Sequence, residues 1–192
     1  MGKANDALKH VLFLTDFPGF ALRGANSRKS RVPIDQEAFK QALRGWASGV
    51  TVVTSRSGDR THGMTVSAFS SVSADPPLVL VCANQASTTH SVIEEGGIFA
   101  VNILAEHQQE ISNVFASSKY EDSRLERVAW SEGETGAPLI DEALASLECK
   151  VRSAHREGSH TIYIGQVEAV HLNDATPLLY YQGGYRSIHC DD

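Results

Sequence analysis

The run Leu144-Ala145-Ser146-Leu147-Glu148-Cys149-Lys150-Val151-Arg152-Ser153-Ala154-His155, the turn Arg156-Glu157-Gly158-Ser159 and the run His160-Thr161-Ile162-Tyr163-Ile164-Gly165-Gln166-Val167-Glu168-Ala169-Val170-His171-Leu172 set the fold class. Two long β-prone runs joined by so short a turn pair antiparallel, because a parallel return needs a crossover of a dozen residues or more. The same reading extends outward. Val50–Thr54 is rich in β-branched residues, and Ser57-Gly58-Asp59 is a turn after it. His62–Val72 reads as a second strand with an irregular stretch around Ser67–Ser71. Asp75-Pro76-Pro77 punctuates the chain, and Leu78–Cys82 and Ile98–Leu104 read as buried strands. Pro177–Tyr181 is a last strand before the turn Gly183-Gly184.

Short helices fill the gaps. Asp35 is positioned to cap a helix carrying Phe39, Leu43 and Trp46 on one face. Ser87-Thr88-Thr89 opens a helix that Gly96-Gly97 closes, and Glu106–Phe115 is helical with Ile111, Val114 and Phe115 inward. Lys119–Gly136 is polar and reads as a loop with a short helix. The whole is mainly β with inserted helices, an antiparallel barrel rather than a doubly wound parallel sheet.

The chain has 192 residues and a formal net charge of −6, enough for one domain with a real core. Residues 1–34 carry a net +4 and read as a poorly ordered basic extension, so the remainder stands at −10. A domain of that sign is ill suited to phosphate-rich nucleic acid. Three cysteines without a Cys-x-x-Cys pair make neither a disulfide framework nor a zinc knot, and no apolar run reaches membrane-spanning length. These features point to a cytoplasmic setting, with no nucleic-acid or membrane partner. The domain is expected over 35–188, with 189–192 as a tail.

The chain has no Gly-x-Gly-x-x-Gly, P-loop, Gly-x-Ser-x-Gly or His-Glu-x-x-His motif. His90 and Glu94 sit one helical turn apart, a spacing that more often marks a surface contact than a metal site, and no metal is expected. Four segments carry chemistry. Gly63–Ser73 is built of small and hydroxyl residues, and reads as a Ser/Thr-rich edge strand or as backbone that a flat ring can approach. Asn84–Thr89 opens a helix, where free amides either serve plain capping by Ser87 or form an anion site. His160 opens a strand, as a satisfied polar residue or a ligand contact. Tyr180-Tyr181-Gln182-Gly183-Gly184-Tyr185-Arg186 could close the sheet, line a dimer seam or wall a nucleotide.

Taken in order, Trp46–Thr54, Gly63–Ser73 with Asp75-Pro76-Pro77, Phe99–Leu104, Gly158–Gly165 and Pro177–Tyr181 resemble the short-chain flavin reductase family, the reductase components of two-component flavin-dependent monooxygenases. The resemblance spans roughly residues 35–188. It implies an FMN-binding split β-barrel homodimer using FMN (or FAD), with NADH or NADPH as co-substrate and a flavin-dependent monooxygenase as partner. It implies that Thr65, Val66, Ser67 and Ala68 line the isoalloxazine ring, with Ser70 and Ser71 near the ribityl chain. Ala83 and Asn84 would border the flavin, Ser87, Thr88 and Thr89 would hold its phosphate, and Phe115 and Ser117 would lie close by. His160 would orient the nicotinamide or assist a proton, with Tyr180, Tyr185 and Arg186 facing the nucleotide. The chain departs from the family pattern at Ser159, where an acidic residue commonly precedes the histidine. That departure keeps open a non-enzymatic flavin-binding or storage protein of the same barrel type.

Overall fold

The computed structural model describes residues 34–188. The basic extension, apart from its last residue Ile34, and the tail 189–192 lie outside the described residues. In chain order the elements are α1 (Gln36–Arg44), β1 (Ser48–Gly49), β2 (Thr51–Ser57), β3 (Arg60–Val66), β4 (Phe69–Ala74), β5 (Pro77–Asn84), α2 (Thr88–Gly96), β6 (Ile98–Ile103), α3 (Gln109–Ala116), β7 (Trp130–Glu132), β8 (Pro138–Ile140), β9 (Ala145–Glu157), β10 (His160–Leu172), β11 (Leu179–Tyr181) and β12 (Gly184–Arg186). The mainly β architecture with inserted helices is therefore as expected.

Seven strands form one antiparallel sheet in the order β3-β2-β6-β9-β10-β5-β4. Its two end strands, β3 and β4, are consecutive in the chain and joined only by Ser67 and Ala68. Two residues span no more than about 11 Å between the flanking Cα atoms, so the ends of the sheet must meet there. The sheet curls, but among the described residues no hydrogen-bonded ladder joins β3 to β4, and the expected barrel is not closed. The single strand expected over His62–Val72 is thus two strands. At the break Phe69 N–H donates to Ser67 O at 3.0 Å, and the chain leaves its pairing with β2 to pair with β5.

Because side chains alternate across a strand, β2 feeds two cores at once. Val53 packs with Val81, Phe99 and Tyr163 inside the curl. Val52 packs on the other side with Leu104, Phe115 and Ile140 under α3. Gly165 is required by this packing, since a Cβ there would lie 2.3 Å from the Phe99 ring. The small sheet β1-β11-β12 adds Tyr180 and Tyr185 to the second core.

The cap on α1 forms as read. Asp35 accepts from the Glu37 and Ala38 amides at 3.2 and 3.4 Å. Its apolar face does not turn inward, however. Phe39 is 44% exposed, Leu43 40% and Trp46 76%, and none of the helix residues is buried among the described residues. No helix among the described residues is long and apolar enough to cross a membrane.

Candidate flavin and nicotinamide site

The start of α2 is built by three short-range bonds. Asn84 Oδ1 accepts from the Ala86 amide at 2.9 Å, Ser87 N–H donates to Asn84 O at 3.0 Å, and Ser87 Oγ accepts from the His90 amide at 3.2 Å. Ser87 is thus the N-cap, and the first turn carries no acidic residue. The unpaired amides and the helix dipole make this end attractive to an anion.

The β9–β10 turn is fastened to the same loop. His160 is the register partner of Asn84. Gln85 donates from its amide to Ser159 O at 3.0 Å and from Nε2 to His160 O at 2.9 Å. Ser159 Oγ lies 2.9 Å from His160 Nδ1, occupying the side where an acid would stand. Burial holds His160 below its usual value of 6.5, so the half-buried ring is neutral at pH 7. Two segments distant in sequence, Asn84–Thr89 and Gly158–His160, are therefore joined.

Three residues that sequence reasoning missed complete this junction. His62, on β3, places Nδ1 2.7 Å from Thr89 Oγ1 and Nε2 2.9 Å from Glu121 O. A carbonyl can only accept, so Nε2 carries the hydrogen and Nδ1 accepts from the Thr89 hydroxyl. Burial, and then the charge of Arg124, hold His62 below 6.5 and favour this neutral form. Arg124 is itself buried. It donates from Nη1 to Gly63 O at 2.8 Å and from Nη2 to Ser117 O at 3.1 Å, while its Nε finds no partner. Thr88 Oγ1 donates to Glu121 Oε1 at 3.1 Å. No signal in the sequence distinguished Arg124 or Glu121 from the other charges of a polar loop.

The remaining expected residues divide by position. Thr65, Val66 and Ala83 are buried, and Thr65 donates to Ser112 O at 2.8 Å. Ser67 and Ala68 sit at the junction of β3 and β4, while Ser70 and Ser71 are exposed on β4. Phe115 does not offer its side chain to a ligand. It is 1% exposed and lies so close to Gly63 that a Cβ there would be 2.7 Å from its ring. Ser117 accepts from the Lys119 amide at 3.2 Å and presents its carbonyl to Arg124. Tyr185 is tied to α3 rather than to His160, donating to Ser112 Oγ at 2.9 Å, with Asn113 Oδ1 3.0 Å away. Ser112 thereby links Tyr185 to Thr65. Tyr180 packs edge-on to Tyr185 at 5.5 Å, and exposed Arg186 donates to Tyr185 O at 2.7 Å. His90 turns to Thr161 Oγ1 at 2.9 Å and Glu94 pairs with Arg156, so the two do not converge on a common ion.

The curled antiparallel sheet thus sets a capped helix start and a half-buried histidine side by side. The flavin reductase like domain model matches residues 43–189, and the chain belongs to that family. It is 41% identical over 153 residues to an NADH-dependent flavin reductase of Rhodococcus sp, spanning 78% of this chain and 85% of that one. It is 40% identical over 154 residues to the reductase component of 4-hydroxyphenylacetate 3-monooxygenase of Thermus thermophilus, spanning 80% and 97%. Among solved structures, the NADH:FAD oxidoreductase SgcE6 of Streptomyces globisporus in complex with NAD and FAD fragments superposes with a TM-score of 0.78 at 32% identity, covering 85% of this chain and 99% of that one.

Proposed function

We propose that this protein is an NAD(P)H-dependent flavin reductase that transfers hydride from NADH or NADPH to FMN or FAD and hands reduced flavin to a partner monooxygenase. The observation that carries the reading is the joining of the α2 start to the His160 turn through Gln85, which would set flavin phosphate and nicotinamide side by side. Membership of the family and the named activities of the relatives support it.

The residues present suit a flavin. The α2 amides and Ser87 would hold the phosphate, with the buried Arg124 charge behind them. The backbone at Ser67 and Ala68, between the two end strands, carries only small side chains and would be where the ring approaches. Flavin, when bound, supplies the hydride-accepting chemistry. The protein's part is to stack the nicotinamide on it, roughly 3–3.5 Å away. Neutral His160, with Nδ1 engaged by Ser159, would offer Nε2 to the co-substrate. With residues 35–192 at a net −10, these anions must be held by local amides and Arg124 rather than by the overall field.

The curled sheet is read as a split β-barrel, and the protein as a homodimer in which a second copy covers Leu43 and Trp46 on α1. Sedimentation of a dimer, lost on replacing Trp46 and Leu43 by Ser, tests this assembly.

The function is tested by anaerobic oxidation of NADH and of NADPH with FMN and with FAD. Turnover with at least one pair is expected, and none with any pair overturns the reading. The absence of an acid beside His160 favours one rival, a flavin-storage protein, which would bind yellow flavin that neither nicotinamide bleaches.

A further inference from the structure

We infer that Glu121 sets the affinity for flavin phosphate by repelling it. This rests on the phosphate lying at Ser87–Thr89, as proposed above. The Thr88 hydroxyl is one of the donors a phosphate there would use, yet it donates to Glu121 Oε1 at 3.1 Å. The carboxylate thus holds a position a phosphate oxygen would take, and adds a negative charge beside a dianion.

The charge is held there by its backbone. His62 Nε2 binds the Glu121 carbonyl at 2.9 Å. Arg124 clamps the same loop to Gly63 O and Ser117 O. No Lys, Arg or His among the described residues forms a salt bridge with the Glu121 carboxylate. The loop's other cations, Lys119 and Arg127, lie over the Tyr120 ring at 5.0 and 4.3 Å instead. Arg124 and Glu121 therefore act on the phosphate in opposite senses. The guanidinium, spent on two carbonyls, supplies attraction at a distance, and the carboxylate offsets it at close range.

The test is equilibrium titration of the purified protein with FMN and with riboflavin, which has the same ring and no phosphate, followed by ligand fluorescence. Glu121→Gln keeps the shape and an oxygen for Thr88 but removes the charge. It is expected to tighten FMN roughly three- to tenfold and to leave riboflavin unchanged, while Glu121→Asp stays near wild type. Wild type that prefers FMN to riboflavin, with Glu121→Gln changing neither, overturns the role of Glu121 and leaves the phosphate site standing. Equal tightening of both ligands also overturns it, since the phosphate would not be what the carboxylate senses. Equal affinity of Glu121→Gln for FMN and riboflavin overturns the phosphate placement itself, and the Glu121 inference with it, because the amides and Arg124 would then meet no phosphate.

Discussion

His160 and Asn84 face each other as register partners across β10 and β5, and Gln85 fixes the pair by donating to the His160 carbonyl at 2.9 Å. The side chain proposed to meet the nicotinamide is thus braced by the loop proposed to meet the flavin.

That arrangement makes His160→Ala informative. Its backbone bond to Gln85 survives the substitution, so the loop stays in place. kcat/KM for the nicotinamide is expected to fall about tenfold or more, with flavin affinity changed less than twofold. Stopped-flow reduction alongside flavin titration checks both, and the reverse ranking would remove His160 from the nicotinamide side.

Ser87→Asp separates capping from ligand binding. Aspartate caps helices as well as serine, so α2 should keep its start. The added charge beside a phosphate should weaken FMN by roughly tenfold while sparing riboflavin. Unchanged FMN affinity would place the phosphate elsewhere.

Glu148 is fully buried and satisfied from four sides. Its oxygens accept from the Glu134 amide at 3.1 Å, the Thr135 amide at 2.7 Å and the Thr135 hydroxyl at 2.8 Å, and His171 Nε2 lies 2.8 Å away. Burial pushes its carboxyl up, but the Thr135, His171 and Glu134 bonds together outweigh this and leave it below the usual 4.5. A carboxyl lowered on folding stabilises above its unfolded value, and that contribution is lost as pH falls through the folded one. Stability should therefore decline from about pH 4.5 downward. Glu148→Gln turns an amide donor toward other donors, which should cost about 2–3 kcal/mol at pH 7 and flatten the acid limb. Urea midpoints measured across pH check both parts.

Gly165→Ala should cost about 1–3 kcal/mol, because Phe99 stands 2.3 Å from the added methyl and is itself locked in the first core. A urea midpoint no lower than wild type would show that Phe99 can move aside.

The fold was legible where local pattern and tertiary role agree. The long hairpin, the Ser87 cap and the Gly97 stop are all local, and each stands where the residues place it. The break at Ser67–Ala68 was legible only as irregularity, because it arises from a change of partner strand that no window around it contains. Phe39, Leu43 and Trp46 show the helical spacing of a buried face, but spacing cannot say whether the cover is this chain or another. At the site, Asn84, Ser87 and His160 stand at element ends where composition marks them. His62, Glu121 and Arg124 matter only through contacts about 30–60 residues apart in sequence, such as Arg124 with Gly63, and so carry no local mark.

Cys149 is a sealed thiol. It lies fully buried in the central strand β9, and burial, then the charges of Glu148 and Glu168, push it up to about 12. An alkylating reagent at neutral pH consequently meets no usable thiolate until β9 separates from its neighbours. The rate at which Cys149 is labelled becomes a clock for opening of the central sheet, readable by mass spectrometry without any engineered probe.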